Sequence, residues 1–301
     1  MDVNSIQDII ETFSGNNLTI LQNLGLIRRR TRCKRTACRR YCSLIRKNNH
    51  YLGHIFRCNR CRSYRSVTEG TFFQFCHIPV ISVFMLLWLW CCRTRAKVAS
   101  AIVNIPKNTV LQQNRYIRDI CSWKLLQIPD QFEFGGPGCV VQIDESVITK
   151  CKYNVGRVVR EQWVFGIFGI NENRGIIMYI DNRSAAILIK KIKKHIKPGT
   201  EIWSDSWKGY SSLSNLVGVS PYIHKTVNHS RNFVDPVTGI CTNHVEAFWA
   251  KLKGYLRKLG VMSSHLLPEH IDEFMWMELY GQTAKDAYTN MLVHISERYR
   301  K

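Results

Sequence analysis

Between Arg28 and Arg65 the chain carries fourteen lysines and arginines and no aspartate or glutamate, and five of its cysteines fall in the same stretch. A like-charge block this dense cannot close an ordinary apolar core, and it repels itself unless a polyanion neutralises it. Its backbone needs another device to hold it. Cys58-Asn-Arg-Cys61, following Phe56-Arg57, is a CxxC knuckle, and tetrahedral Zn2+ on thiolates is the device that fits. Zinc would let so polar a segment fold. The second pair must come from upstream, where Cys33, Cys38 and Cys42 stand with four and then three residues between them. Loop size makes Cys38 and Cys42 as good a pair as Cys33 and Cys38.

The charge identifies a class of partner. The formal net charge is +21, and it is uneven: residues 1–135 hold 21 Lys/Arg against 7 Asp/Glu, and residues 136–301 hold 22 against 15. Nucleic acid fits this better than an anionic membrane surface. Twelve cysteines do not make a secreted scaffold here. MDVNSIQDIIETF has no basic-then-apolar signal, and Cys91-Cys92 are adjacent inside an apolar run, so a reduced compartment is expected. The longest apolar stretch, Ile78 to Cys92, has fifteen residues and contains Pro79, which suits a buried helix and not a membrane span. The expectation is a soluble, intracellular protein with no membrane partner.

Pattern divides the chain into a helical lead-in (1–30), a basic zinc-ribbon-like module (31–70), a helical segment (78–130) and a larger α/β domain (136–301). Phe134-Gly-Gly-Pro-Gly138 is the break before the last. In the helical segment the pattern predicts three helices, the second over about Arg95 to Val103 and the third over about Asn108 to Ile120. The Ile-Pro-Lys-Asn link at 105–108 separates those two, with Asn108 or Thr109 as N-cap. Two short helices and a tight turn, with Arg115 and Arg118 on the second, suit either a helix-turn-helix or a plain helical hairpin.

Beyond the break, strands are expected at Cys139–Asp144, Glu161–Ile170 and Gly175–Ile180. Then come a helix over Ser184–Ile196, strand Glu201–Ser204, a helix from about Trp207, strand Tyr222–Asn228 and a final helix over Thr242–Leu259. Three antiparallel strands followed by α, β, α, β, α is the order of a ribonuclease-H-like domain. In that order the strands ending in Asp144 and Asp205 are neighbours, so both carboxylates emerge at one end of the sheet. Glu246 sits in the first turn of the final helix, which can pack across that end. Three carboxylates there would hold two Mg2+ or Mn2+ ions, which take oxygen ligands. Such a pair serves phosphodiester hydrolysis and transfer.

Four ordered segments then resemble one family: GGPGCVVQIDES (135–146), KYNVGR with REQWVFGIFG (152–169), IKPGTEIWSDSWKGYSSL (196–213) and HKTVNHSRNFVDPVTGICTNHVEAFWAKLK (224–253). The stretch from Gly135 to Lys258 is similar to the Merlin-type transposases of eukaryotes and the related, ISXO2-like bacterial insertion-sequence transposases. The resemblance implies that Asp144, Asp205 and Glu246 are the acidic triad of a DDE transposase. It also matches Glu145, and it puts His229 and Asn243 close to the active-site segments. It implies an N-terminal zinc-ribbon-like segment, in which Cys33 and Cys38 align best and Cys42 falls on a usually apolar position. Such a protein would bind double-stranded DNA at terminal inverted repeats, through Arg39, Arg40, Arg60, Arg62, Arg115 and Arg118. It would cleave the ends and join the 3′-hydroxyl to target DNA. Work at two ends implies a homo-oligomer, and a eukaryotic source implies the nucleus. The competing readings are a domesticated, non-catalytic DNA-binding protein and a ribonuclease-H-like nuclease.

Overall fold

The computed structural model describes residues 3–149, 161–205, 208–210, 221–227, 236, 238–259 and 264–299. Their contacts form two units, Met1–Cys121 with Met277–Lys301, and Ser122–Trp276. The division falls before the Gly-Gly-Pro-Gly break, and the chain's last helix joins the N-terminal unit.

In the first unit, helix α1 (Ile6–Phe13) starts at a capping box: Ser5 Oγ accepts the Asp8 N–H at 3.2 Å, and the Asp8 carboxylate accepts the Ser5 N–H at 3.2 Å. Such caps contribute about 1 kcal/mol. Helix α2 (Asn17–Asn23) is capped by Asn16. The basic block then folds into an antiparallel meander, β1 (Thr31–Arg32), β2 (Tyr41–Arg46), β3 (His54–Cys58) and β4 (Tyr64–Ser66), in that spatial order. Helix α3 (Val80–Cys91) is apolar all round and therefore buried all round. Phe84 meets Phe13 at 4.1 Å between ring centroids, and Trp88 meets Tyr288 at 5.6 Å. Helices α4 (Ala96–Val103) and α5 (Lys107–Leu126) meet at left-handed Asn104. Their core joins Leu86, Leu89, Ala99, Ile105 and Val110. Helix α5 runs six residues past the expected Ile120, because no breaker intervenes before Pro129.

The second unit holds a mixed five-stranded sheet. Strands β5 (Val140–Thr149), β6 (Gln162–Gly169) and β7 (Arg174–Ile180) pair antiparallel. After helix α6 (Ala185–His195), strand β8 (Glu201–Asp205) lies parallel to β5, and β9 (Ile223–Val227) lies parallel to β8. The order is β7-β6-β5-β8-β9, so β5 and β8 are neighbours as the element order predicts. Lys197-Pro198-Gly199 ends α6, with Gly199 at φ 81°. A short 3-10 turn, Lys208–Tyr210, stands where the helix from about Trp207 is expected, and most of that segment lies outside the described residues.

Helix α7 (Asn243–Leu259) packs Val245, Phe248, Trp249, Leu252 and Leu256 inward, while Leu259 is exposed. It is not the final helix. Helix α8 (Leu267–Tyr280) follows, with Phe274 against Phe248 and Tyr255, and then Ala284–Tyr299. That last helix buries Ala287, Tyr288, Met291, Leu292, His294 and Ile295, a stripe too broad and too mixed with polar residues for a simple apolar period. Among the described residues no helix is long and apolar enough to cross a membrane.

Candidate active site and metal centre

Alternation along β5 sorts its side chains. Val141 and Ile143 face one side, fully buried, and Gln142 and Asp144 face the other. The parallel register pairs Val140 with Glu201 and Gln142 with Trp203. Carried two residues further, that register brings Asp144 level with Asp205, which ends β8. Asp144 itself lies midway along β5, which continues to Thr149 where the sequence pattern expects the strand to stop at Asp144. Asp144 is pushed up to about 7, first by burial and then by the charge of Asp205, with Glu246 adding to it. The Glu145 backbone N–H favours the charged form and offsets only part of this. A carboxyl that feels two other carboxyls is a site short of positive charge.

Glu246 reaches this place through residues that pattern reading does not single out. Gln142, wholly buried on β5, accepts the backbone N–H of His244 at 2.9 Å and of Val245 at 3.2 Å. Its carboxamide thus caps α7 from another element and satisfies two of the helix's orphan donors. Thr242 Oγ1 donates to Glu246 Oε1 at 2.7 Å. Gly166 on β6 stands opposite Asp144, and a Cβ there would lie 2.6 Å from the Trp249 ring and 3.1 Å from Val245. The glycine lets α7 approach the sheet beside the acids. The available signals were a polar residue inside the apolar strand VVQID and a glycine inside WVFGIFG.

Glu145 points to the opposite face from Asp144 and accepts the phenol of buried Tyr210. Burial, then the charges of Asp144 and Asp205, push it up to about 8, against the pull of Arg183. Asn243 is the exposed first residue of α7. His229 and the KYNVGR segment lie outside the described residues.

In the ribbon, the sulfurs of Cys33, Cys38, Cys58 and Cys61 all lie within 4.8 Å of one another. Cys33 and Cys61 are 3.3 Å apart, and Cys38 and Cys58 are 3.6 Å apart. Four sulfurs about 2.3 Å from a tetrahedral Zn2+ stand roughly 3.8 Å from each other, so the set fits zinc. The Ser63 hydroxyl, bonded to Cys61 at 3.2 Å, leads the effects that hold that thiol down to about 6. Cys42 sits on β2 opposite Cys58 and is not in the group.

Arg39, Arg40, Arg60 and Arg62 are all exposed around the two knuckles. Arg39 and Arg62, each following the second cysteine of a pair, hold left-handed backbone at φ 41° and 57°. On α5, Arg115 is exposed but Arg118 is only 8% exposed, on the inward side with Ile117 and Cys121. Arg118 is therefore corrected from DNA contact to a buried residue: helical period, not charge, decides its face.

Residues 140–279 match the ISXO2-like transposase domain. An uncharacterized transposase-like protein of Haemophilus influenzae is 26% identical over 97 residues, 32% of this chain and 74% of that protein. Among solved structures, a chain of a pre-cleavage Mos1 transpososome is similar with a TM-score of 0.26 and 10% identity, over 68% of this chain and 72% of that one.

Proposed function

We propose that the chain, whose residues 140–279 match the ISXO2-like transposase domain, is a DNA transposase of the insertion-sequence-related DDE type, which binds and cleaves the ends of its element and joins them to target DNA. Asp144, Asp205 and Glu246 are its catalytic carboxylates. One observation carries the assignment: all three acids fall inside the stretch, residues 140–279, that matches the ISXO2-like transposase domain, and the charges of Asp205 and Glu246 act on Asp144. These are hard oxygen donors at one sheet end, the donor set that Mg2+ or Mn2+ takes. Bound there, two such ions supply an activated oxygen nucleophile and stabilise the leaving oxygen of a phosphodiester.

The chain's own residues provide the placement. Strands β5 and β8 are parallel neighbours, which supports Asp144 and Asp205 acting together; Gln142 fixes the first turn of α7, and Thr242 donates to the Glu246 carboxylate. Partial burial of the three carboxylates lowers the screening of charge that develops in the reaction. Cys33, Cys38, Cys58 and Cys61 would hold a closed structural zinc that carries the basic ribbon. DNA contact falls to Arg39, Arg40, Arg60 and Arg62, and to the exposed side of α5 at Lys107, Asn108, Gln112 and Arg115. Two ends to process imply more than one copy in the working assembly.

The test is cleavage of duplex DNA carrying the inverted repeats that flank the gene, with Mg2+ present. The expected result is cutting at the repeat ends by the wild-type chain and none by Asp205→Asn. Equal cutting by both would remove Asp205 from the mechanism. Activity on an RNA–DNA hybrid with none on repeat ends would replace the transposase with a nuclease.

A further inference from the structure

We propose that the open face of the ribbon sheet docks duplex DNA, gripping its phosphates with cations mounted on two exposed tyrosines. The inference rests on the DNA-binding reading above and adds to it a surface and a mode of contact. Direct partners in an antiparallel sheet share a face. Arg32 pairs with Tyr41, Ser43 pairs with Arg57, and Arg57 pairs with Tyr64. Since Tyr41 and Ser43 are two apart on β2, all five residues lie on one side. The other side carries Phe56 and Cys58, both buried. On the proposed side Ile55, paired with Ile45, is buried as well, so the open part of the face is the stretch around Arg32, Tyr41, Ser43 and Tyr64.

On this face Tyr41 is 59% and Tyr64 is 52% exposed. Each ring lies under the chain's own cations: the Arg32 guanidinium is 5.2 Å from the Tyr41 centroid, and at Tyr64 the Lys47 ammonium is at 4.8 Å and the Arg57 guanidinium at 5.8 Å. The Tyr41 phenol is held below its ordinary value by Arg32, through a hydrogen bond and its charge, and by Arg30. No acid occurs from Arg28 to Arg65, and the nearby Glu69 is paired to Lys34 and Arg65. A polyanion is the complementary occupant.

The covered rings select the kind of polyanion contact. A base stacking on either tyrosine would have to displace a cation, whereas a phosphate meets that cation on its outward side. Holding a flexible Lys or Arg on a ring also reduces the rotamer freedom lost on binding. The strands bearing the two tyrosines are two spacings apart, about 10 Å, so the cation sets can engage separate phosphates.

The experiment measures binding of the zinc-loaded full chain to a random-sequence 30-base-pair duplex by anisotropy, over a series of salt concentrations. Tyr41→Leu with Tyr64→Leu keeps every charge and removes both platforms; the expected result is roughly 5- to 20-fold weaker binding at unchanged zinc content. The matching double Tyr→Phe variant keeps the rings and is expected to bind like the wild type. Arg32→Gln with Lys47→Gln is expected to lower the salt slope by about 2. Wild-type affinity in the double Leu variant overturns the proposal. So does tighter binding to the single strand, with a fluorescent base analogue reporting stacking. Failure of the wild-type chain to bind any duplex would instead sink the DNA-binding reading beneath it.

Discussion

The ribbon sheet and the five-stranded sheet treat their strands in opposite ways. Strand β2 leaves four of its six residues exposed, while β6 buries six of its eight. Burial at roughly 25 cal/mol per Å2 of apolar surface can hold the second sheet. The first has little to bury and must draw its stability from four thiolates. The two proposed metal sites divide along the same line. The ribbon's is closed and built of soft sulfur, a place for an ion that stays; the sheet-end site is built of oxygen donors, whose mutual repulsion is tolerable only where a cation or a proton visits.

The largest expected effect breaks that comparison directly. Chelating the metal, or Cys58→Ser, should unfold the ribbon, since structural zinc contributes on the order of 10 kcal/mol or more to such a module. Hydrogen exchange should show amides of 41–66 losing protection while those of 140–147 and 162–180 keep theirs. A ribbon still protected after chelation would mean that burial, not metal, holds it.

At the sheet end the expectation reverses, with a large loss of function and little loss of fold. Glu246→Gln and Asp205→Asn should each lower cleavage by at least about 10²- to 10³-fold, with thermal stability unchanged or higher. Glu246 is the first to test, because a glutamate in a helix's first turn is ordinary by itself. Gln142→Leu comes next. It removes the acceptor for two α7 donors and should weaken Mg2+ affinity by about 10- to 100-fold, as expected of a residue that orients a ligand. Unchanged thermal stability beside the weaker Mg2+ affinity would separate positioning from simple loss of packing.

Stability against pH gives a smaller effect whose sign follows from the site. In the metal-free protein Asp144 binds its proton more tightly folded, at about 7, than unfolded near 3.8. Between those values the folded state holds the extra proton, so stability falls as pH rises and levels off above about 7. Glu145, pushed up to about 8, adds to the same slope. Asp144→Asn should therefore stabilise the metal-free protein at pH 8 by on the order of 2 kcal/mol, and by almost nothing near pH 4. Calorimetry at the two pH values reads this, and Mg2+ should recover much of it in the wild type. A metal-free stability that rises from pH 5 to 8 would contradict the crowding of acids.

What the sequence made legible was periodic or spaced. Element order was enough to make the strands carrying Asp144 and Asp205 neighbours, though β5 runs on to Thr149 past the expected stop at Asp144, and the CxxC at Cys58 located the knuckle. What it hid depended on a partner distant in the chain. The choice of Cys33 over Cys42 follows from β2 pairing with β3, which sets Cys42 opposite Cys58 but outside the sulfur group. Gln142 looks like an intrusion in an apolar strand until α7, a hundred residues on, presents its free N–H groups. Arg118 carried the right charge but lies on the inward side of α5.

The smallest effect bears on the strain in the ribbon's turns, a strain that the β6–β7 turn of the other sheet carries at a single described residue, Asn173, φ 49°. Arg39 and Arg62 occupy left-handed backbone at matching places, one residue past the second cysteine of each pair. A side chain there costs about 1 kcal/mol that glycine would avoid, and glycine loses part of that gain through greater freedom in the unfolded chain. Arg39→Gly and Arg62→Gly should thus stabilise the zinc-loaded ribbon by a few tenths of a kcal/mol each, while Arg60→Gly, which starts from ordinary backbone, should not. If the arginines are there for phosphate, the same two variants should bind duplex DNA more weakly and lower its salt slope by about 1 apiece. Greater stability with weaker binding is the combination expected of a surface kept for its partner; greater stability with unchanged binding would leave the strained arginines without that role.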